Sequence, residues 1–173
     1  MKSLKEVNEN IKIDVQRAIE ADSQIILDLW KDSARWIQSK CINQWNPDHF
    51  NINQVCECFN NGFELFLARF NGEVVGTLYI CWSDPILWEE LDDKDSRYIH
   101  RFAVSRIHTG NRIGKQLINW AEQYIRDKGK NQIRLDCMAE NVRLNQYYLD
   151  IGYKHIRFLN WRNGWKINLY EKN

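Results

Sequence analysis

Apolar and polar residues alternate at the start of the chain (Ile11, Ile13 and Val15 against polar neighbours), the pattern of a half-buried strand over residues 11–19. The period then lengthens. Ile25, Ile26, Leu29, Trp30, Ala34 and Ile37 recur at helical spacing behind Asp22 and Ser23, either of which can cap a helix. Asn46-Pro47 marks its end or a following turn, and a short helix is expected over 52–59, closed by Asn61-Gly62. Apolar runs at 63–70 and 73–82 flank Asn71-Gly72, the strongest short-range hairpin signal. A polar insertion covers 83–97. A strand at 98–104 then leads through a loop holding Gly110 and Gly114 into a helix at 113–128. That helix sets Ile113, Leu117, Ile118, Ala121 and Ile125 on one face and stops at Gly129. A strand at 132–138, a helix at 142–151 ending at Gly152, and strands at 153–159 and 165–170 around Asn163-Gly164 complete the chain.

The order β–α–α–β–β–β–α–β–α–β–β predicts an α/β (α+β) fold. It is a mixed sheet with antiparallel hairpins at both ends, helical crossovers between them and about four helices. A chain of 173 residues without repeats or linker fits one domain, 1–173, with one core.

Composition changes this picture little. Hydrophobic residues make up 44%, enough for a packed globule. A net charge of +1 gives no global argument for nucleic acid or a membrane surface. No apolar run is long enough to span a bilayer, and the N-terminal segment lacks the apolar core of a signal peptide, so a cytoplasmic location is expected. The five cysteines, at 41, 56, 58, 81 and 137, are read as free thiols in a reducing compartment. Cys56-x-Cys58 is too tight for a zinc knuckle and no second pair follows, so no metal site is expected.

Candidate chemistry begins at 98–115, YIHRFAVSRIHTGNRIGK. A strand, a polar glycine-bearing loop and a helix start place unpaired backbone N–H groups together, a ready site for a phosphate. Further on, Asn141 follows a strand, and the next helix carries Tyr147-Tyr148 before Gly152-Tyr153. These two segments, over roughly residues 98–156, resemble the GCN5-related N-acetyltransferase (GNAT) superfamily. Its loop pattern is Arg/Gln-x-x-Gly-x-Gly/Ala, whose positions here read Thr109, Arg112 and Gly114; only Gly114 keeps the usual residue. Its second pattern, Asn…Tyr-x-x-x-Gly-Phe/Tyr, is matched by Asn141, Tyr148, Gly152 and Tyr153.

The resemblance implies a mostly antiparallel twisted sheet whose fourth and fifth strands splay, and acetyl-CoA in the gap. Phe102, Ala103 and Val104 would offer backbone groups to the pantetheine arm. Thr109, Gly110, Asn111, Arg112, Ile113, Gly114 and Lys115 would hold the pyrophosphate, and Asn141 the arm from the other side. Tyr148 would be the general acid toward the CoA sulfur, with the oxyanion near the Val104 amide. Tyr147 points elsewhere around the helix, so only one of the two can be that acid.

His100 is the base candidate. Strand alternation sets it on the face of Phe102 and Val104, and an unperturbed imidazole suits proton abstraction near neutrality. His49, His108 and His155 lie in less informative places. A covalent route through Cys137 is the rival, but no histidine is near it in sequence and it reads as a buried apolar thiol. The insertion at 83–97 is rich in carboxylates, including Glu89 and Glu90, with Trp88 inside it and Trp82 before it. Aromatic walls with acidic groups suit a cationic amine, although a solvated acidic loop explains the charges as well. Trp30, Trp36 and Trp45 are candidates for the same pocket.

The sequence thus points to an acetyl-CoA-dependent N-acetyltransferase acting directly on the primary amine of a small molecule. Acetylation of a protein or peptide amine and a non-catalytic CoA-binding sensor or interaction module are the alternatives. The final hairpin offers an edge for a homodimer.

Overall fold

The computed structural model describes residues 12–108 and 110–173. Ile11, where the first strand was expected to begin, and Thr109 of the loop lie outside the described residues. The elements run β1 (Asp14–Arg17), α1 (Ser23–Ser39), α2 (Ile52–Asn60), β2 (Glu64–Phe70), β3 (Glu73–Cys81), α3 (Pro85–Trp88), β4 (Ser96–Val104), α4 (Ile113–Asp127), β5 (Gln132–Met138), α5 (Val142–Asp150), β6 (Lys154–Asn160) and β7 (Lys166–Lys172). They form one seven-stranded sheet in the order β1-β2-β3-β4-β5-β7-β6. Every pairing is antiparallel except β4 with β5.

Local chemistry explains most of the boundaries. Asn71 and Gly72 both take positive φ (50° and 83°), the two left-handed residues that a tight hairpin turn needs. Asn51 caps α2 reciprocally: its side chain accepts from the Gln54 amide, and the Gln54 side chain accepts from the Asn51 amide. The expected polar insertion is partly helical. Asp84 accepts from the Leu87 amide and Pro85 takes the first helical position, which starts the short helix α3. With it the described residues hold five α-helices, against about four expected.

The sheet buries both faces. On one, α4 and α5 cover Phe66, Leu78, Ile80, Ile99, Leu135 and Cys137. On the other, α1 and α2 cover Leu65, Leu67 and Ala103. A third cluster, around Trp88, Tyr98, Met138 and Leu169, fills the space under α3.

Two irregularities in β4 disturb the centre of the sheet. Pairing with β5 covers only Ser96↔Gln132, Arg97↔Ile133 and Tyr98↔Arg134, although both strands continue for several residues. Beyond Tyr98 the two strands part. In addition, Tyr79 pairs with His100 but Thr77 pairs with Ala103, so Leu78 faces both Arg101 and Phe102. This is a β-bulge, and Arg101 carries it with φ 51°.

Candidate active site

The parting of β4 and β5 opens a cleft of ≈ 1360 Å³. Single-ligand pockets are roughly 300–1,000 Å³, so this one has room for two substrates. Its walls come from β4, the loop after it, the start of α4, the end of β5, α5, the α1–α2 loop and the β6–β7 turn.

One end is basic. Arg106, Arg112, Lys115 and Arg143 line it beside the N-terminus of α4. The first α4 hydrogen bond runs from the Gln116 amide to the Arg112 carbonyl at 3.0 Å. The amides of Ile113, Gly114 and Lys115 therefore have no intrahelical acceptor, and the Arg112 side chain does not cap them. Arg112 has φ 53° and ψ 25°, the left-handed region that glycine occupies freely. A side chain there costs about 1–2 kcal/mol. The backbone thus keeps a glycine-type conformation, and the guanidinium adds a positive charge where anions would gather. The Arg106 guanidinium carbon lies over Trp36, 3.5 Å from the ring centroid, and burial beside Arg143 lowers its pKa.

The middle of the cleft exposes backbone. The Ser105 amide donates to the Val75 carbonyl at 2.8 Å, which makes Gly76↔Val104 a non-hydrogen-bonded pair. Val104 accordingly turns its own N–H and C=O away from β3, toward the gap. Across the gap, Asn141 caps α5 by accepting from the Leu144 amide at 3.2 Å and donates to Gln44 at 2.6 Å. That second bond ties α5 to the α1–α2 loop across the cleft.

Tyr148 lines the cleft from α5 and is only 4% exposed. It packs among Tyr147, Tyr153 and Tyr170. Burial, reinforced by nearby Cys137 and Asp136, holds its pKa well above that of a free phenol. The hydroxyl of Tyr147 is enclosed without a hydrogen-bond partner. Cys137 also borders the cleft, but burial pushes its thiol far up, so it stays protonated and a poor nucleophile.

The other end is acidic. His100 Nε2 lies 3.1 Å from Asp84 Oδ2, and its Nδ1 lies 3.5 Å from Asp136 Oδ1. Tyr79 packs against the ring at a centroid distance of 5.3 Å. Burial opposes a charge on His100. The Tyr79 hydroxyl, Asp84, Cys81 and Asp136 outweigh it and hold the imidazole well above its ordinary value. Burial raises Asp136 despite the opposing pull of His100. The cluster therefore sets His100 between the carboxyl groups of Asp84 and Asp136, which favour a proton on the imidazole.

Several expected placements are corrected. His100 does not share a face with Phe102 and Val104. The bulge at Arg101 breaks the alternation, so His100 and Tyr79 lie on one side of the sheet. Phe102 and Val104 pack with the α4 cluster on the other. Of the aromatic candidates, Trp36 and Trp45 line the cleft, whereas Trp30 and Trp88 are core residues at 1% and 0% exposure. Trp82 stacks on Arg97 outside the cleft, and Glu89 and Glu90 pair with Arg157 at the surface. Trp88→Ala is expected to destabilise the fold by about 3–5 kcal/mol through the cavity it leaves. Its Michaelis constants should stay near those of the parent under conditions where it is folded. Urea unfolding beside steady-state kinetics separates these effects.

Of the carboxylates in the 83–97 insertion Asp84 lines the cleft, and Asp136, Trp161 and Trp165 line it beyond the residues expected from the sequence. Asp136 had a usable signal: a lone carboxylate in the middle of an apolar strand, IRLDCM. Asp84 had one in Asp-Pro, a cap followed by a first-position proline. Among the described residues, no cluster of histidine, cysteine and carboxylates has the makings of a metal site.

The profile of the Acetyltransferase (GNAT) family matches residues 26–153, and the chain belongs to this family of N-acetyltransferases. A curated relative, the uncharacterized N-acetyltransferase YesJ of Bacillus subtilis (strain 168), is 29% identical over 144 residues, 79% of each chain. A GNAT-family acetyltransferase crystal structure from Listeria monocytogenes 4b F2365 is 32% identical. It covers 92% of this chain and 94% of its own, with a TM-score of 0.74. The yncA structure from Salmonella typhimurium, solved with its cofactor acetyl-CoA, shares the fold at 13% identity. Its TM-score is 0.67, with 92% of each chain covered.

Proposed function

We propose that this protein transfers the acetyl group of acetyl-CoA directly to the primary amine of a small molecule. The observation that carries this reading is the polarity of one continuous cleft. A basic end at a helix N-terminus suits phosphates, and an end that presents the carboxyl groups of Asp84 and Asp136 suits an ammonium. Between them β4 presents unpaired backbone. The yncA complex with acetyl-CoA, on the same fold, supports the choice of donor.

In this reading acetyl-CoA supplies the activated acyl carbon and a thiolate leaving group. The amides of Ile113, Gly114 and Lys115, with Arg112, hold the phosphates. Gly110 and Asn111 shape the loop before them, and Thr109 belongs to the same segment. Phe102, Ala103 and Val104 form the strand along which the pantetheine lies, with the Val104 N–H aimed at the gap. Asn141 borders the arm from α5, and its bond to Gln44 would open or adjust as the arm enters. Asp84, His100 and Asp136 receive the ammonium and take its proton. Tyr148, kept protonated by burial, donates one to the departing sulfur. The inert Cys137 thiol favours direct transfer over an acyl-enzyme.

The test is thiol release from acetyl-CoA over a panel of amines that includes a short peptide. Turnover on small amines with little on the peptide is expected. Acetyl-CoA binding without turnover on any amine would sink the catalytic reading. Preference for the peptide would move the acceptor to protein.

A further inference from the structure

The acceptor half of the cleft holds a cation, Arg101, that forms no ion pair with any described carboxylate. Arg101, on the bulge of β4, lines the cleft. Its guanidinium carbon lies 4.7 Å from the Phe50 ring centroid, 5.3 Å from Trp30 and 5.7 Å from Trp45. Among the described residues it has no carboxylate within ion-pair distance. Its charge is nevertheless felt in the acceptor site, where it pulls on both Tyr79 and Asp136.

We propose that the amine acceptor carries a carboxylate, and that Arg101 binds it while Asp84, His100 and Asp136 hold the amine. This rests on the acetyltransferase reading and names its substrate class: amino acids rather than simple amines.

Three features lead there. First, the charges are complementary. Asp84 and Asp136, 3.1 Å and 3.5 Å from His100, offer carboxyl oxygens to an ammonium, and Arg101 offers a guanidinium to a carboxylate. A zwitterion satisfies both, whereas a simple ammonium answers only the first. Second, aromatic packing suits the role. Three aromatic rings beside the guanidinium carbon restrict its motion, and the N–H fork of a guanidinium is the geometry that pairs with a carboxylate. Third, the backbone is unusual. Arg101 has φ 51°, a conformation that costs a side chain about 1–2 kcal/mol. The bulge turns the side chain onto the α1–α2 side, where His100 and Tyr79 also lie, instead of burying it under α4 with Phe102. Strain of this kind is retained where a side chain must be aimed.

The experiment compares each amino acid with the amine left when its carboxylate is removed. Suitable pairs are phenylalanine with phenethylamine, lysine with cadaverine, and 4-aminobutyrate with propylamine. Thiol release at saturating acetyl-CoA gives kcat/KM for both members. The wild-type protein is expected to favour at least one carboxylate-bearing member by about 10–100-fold, the value of a charge-assisted pair. In Arg101→Gln the ratio should fall to about one, and Arg101→Lys should keep part of it as a point charge without the fork. The wild-type comparison needs no variant to fold, so it stands alone. Equal or better turnover of every simple amine by the wild type overturns the proposal and leaves the acetyltransferase reading intact. If no acceptor turns over, that reading fails by itself, and calorimetry with CoA present decides this one. Amino-acid binding lost with the carboxylate and in Arg101→Gln supports it, and no such binding overturns it.

Discussion

Tyr148→Phe is expected to lower kcat by about 10²–10⁴-fold, the usual worth of a positioned general acid. The affinity for acetyl-CoA should change little, because the ring and its packing against Tyr147, Tyr153 and Tyr170 remain. Burial is the physical cause. A phenol in an apolar setting keeps its proton at neutral pH, and the same setting would leave a departing thiolate poorly solvated. A proton delivered as the C–S bond breaks removes that penalty. Tyr147 provides the comparison. Its neighbouring hydroxyl is enclosed without a partner, so it is poorly placed to meet the sulfur, and Tyr147→Phe should stay within about threefold of the parent on the same scale. Single-turnover kinetics beside a CoA-binding titration separates chemistry from affinity. If Tyr148→Phe keeps full kcat, the leaving thiolate departs without help from this residue.

Much of the fold was legible because it rests on short-range rules. Asn71-Gly72 set the first hairpin, Gly129 ended α4, and the apolar stripe from Ile113 to Ile125 fixed the helix that covers the sheet. The strand from Gln132 to Met138 was placed to the residue. The candidate site was harder to read because it depends on departures from those rules. Alternation along β4 sets His100 beside Val104 only while the strand is regular, and one extra residue at Arg101 reverses the assignment. No local pattern announces that bulge, since the left-handed position is filled by arginine where glycine would have given a signal. Trp30 and Trp88 illustrate a second limit. Either tryptophan could be read as a pocket wall, but the large apolar surface of the indole draws both into the core, Trp30 as part of the apolar stripe of α1 and Trp88 from within a polar insertion. Asp84, His100 and Asp136 are far apart in the chain and meet only through the sheet, so their mutual effect on protonation is a property of the fold.

That mutual effect yields the other large expectation. His100 is held above its ordinary value of about 6.5, so an imidazolium, which cannot accept the proton of an ammonium, persists to higher pH than in a free histidine. Asp136, raised by burial, gains proton affinity, as a carboxylate base requires. The two titrate as a pair, and kcat/KM should rise with pH, with its midpoint above about 6.5. Asp136→Asn should lower kcat/KM by about 10²–10⁴-fold by removing both a base and a counter-charge to the ammonium. The same change removes a group that favours the imidazolium, so the ascending limb should move to lower pH. Stability should run the opposite way. A histidine with a raised folded pKa stabilises fully below its unfolded value and loses that contribution as pH rises through the folded one. The raised Asp136 has the same sign, because its ionisation is resisted by the fold. Urea midpoints should therefore fall across the window in which kcat/KM climbs, and Asp136→Asn should flatten that fall. A rate profile flat through this window, with unchanged urea midpoints, would mean that the cluster is not the proton acceptor. The opposition has one physical root: the buried proton that holds Asp84, His100 and Asp136 together must leave before the amine can be activated.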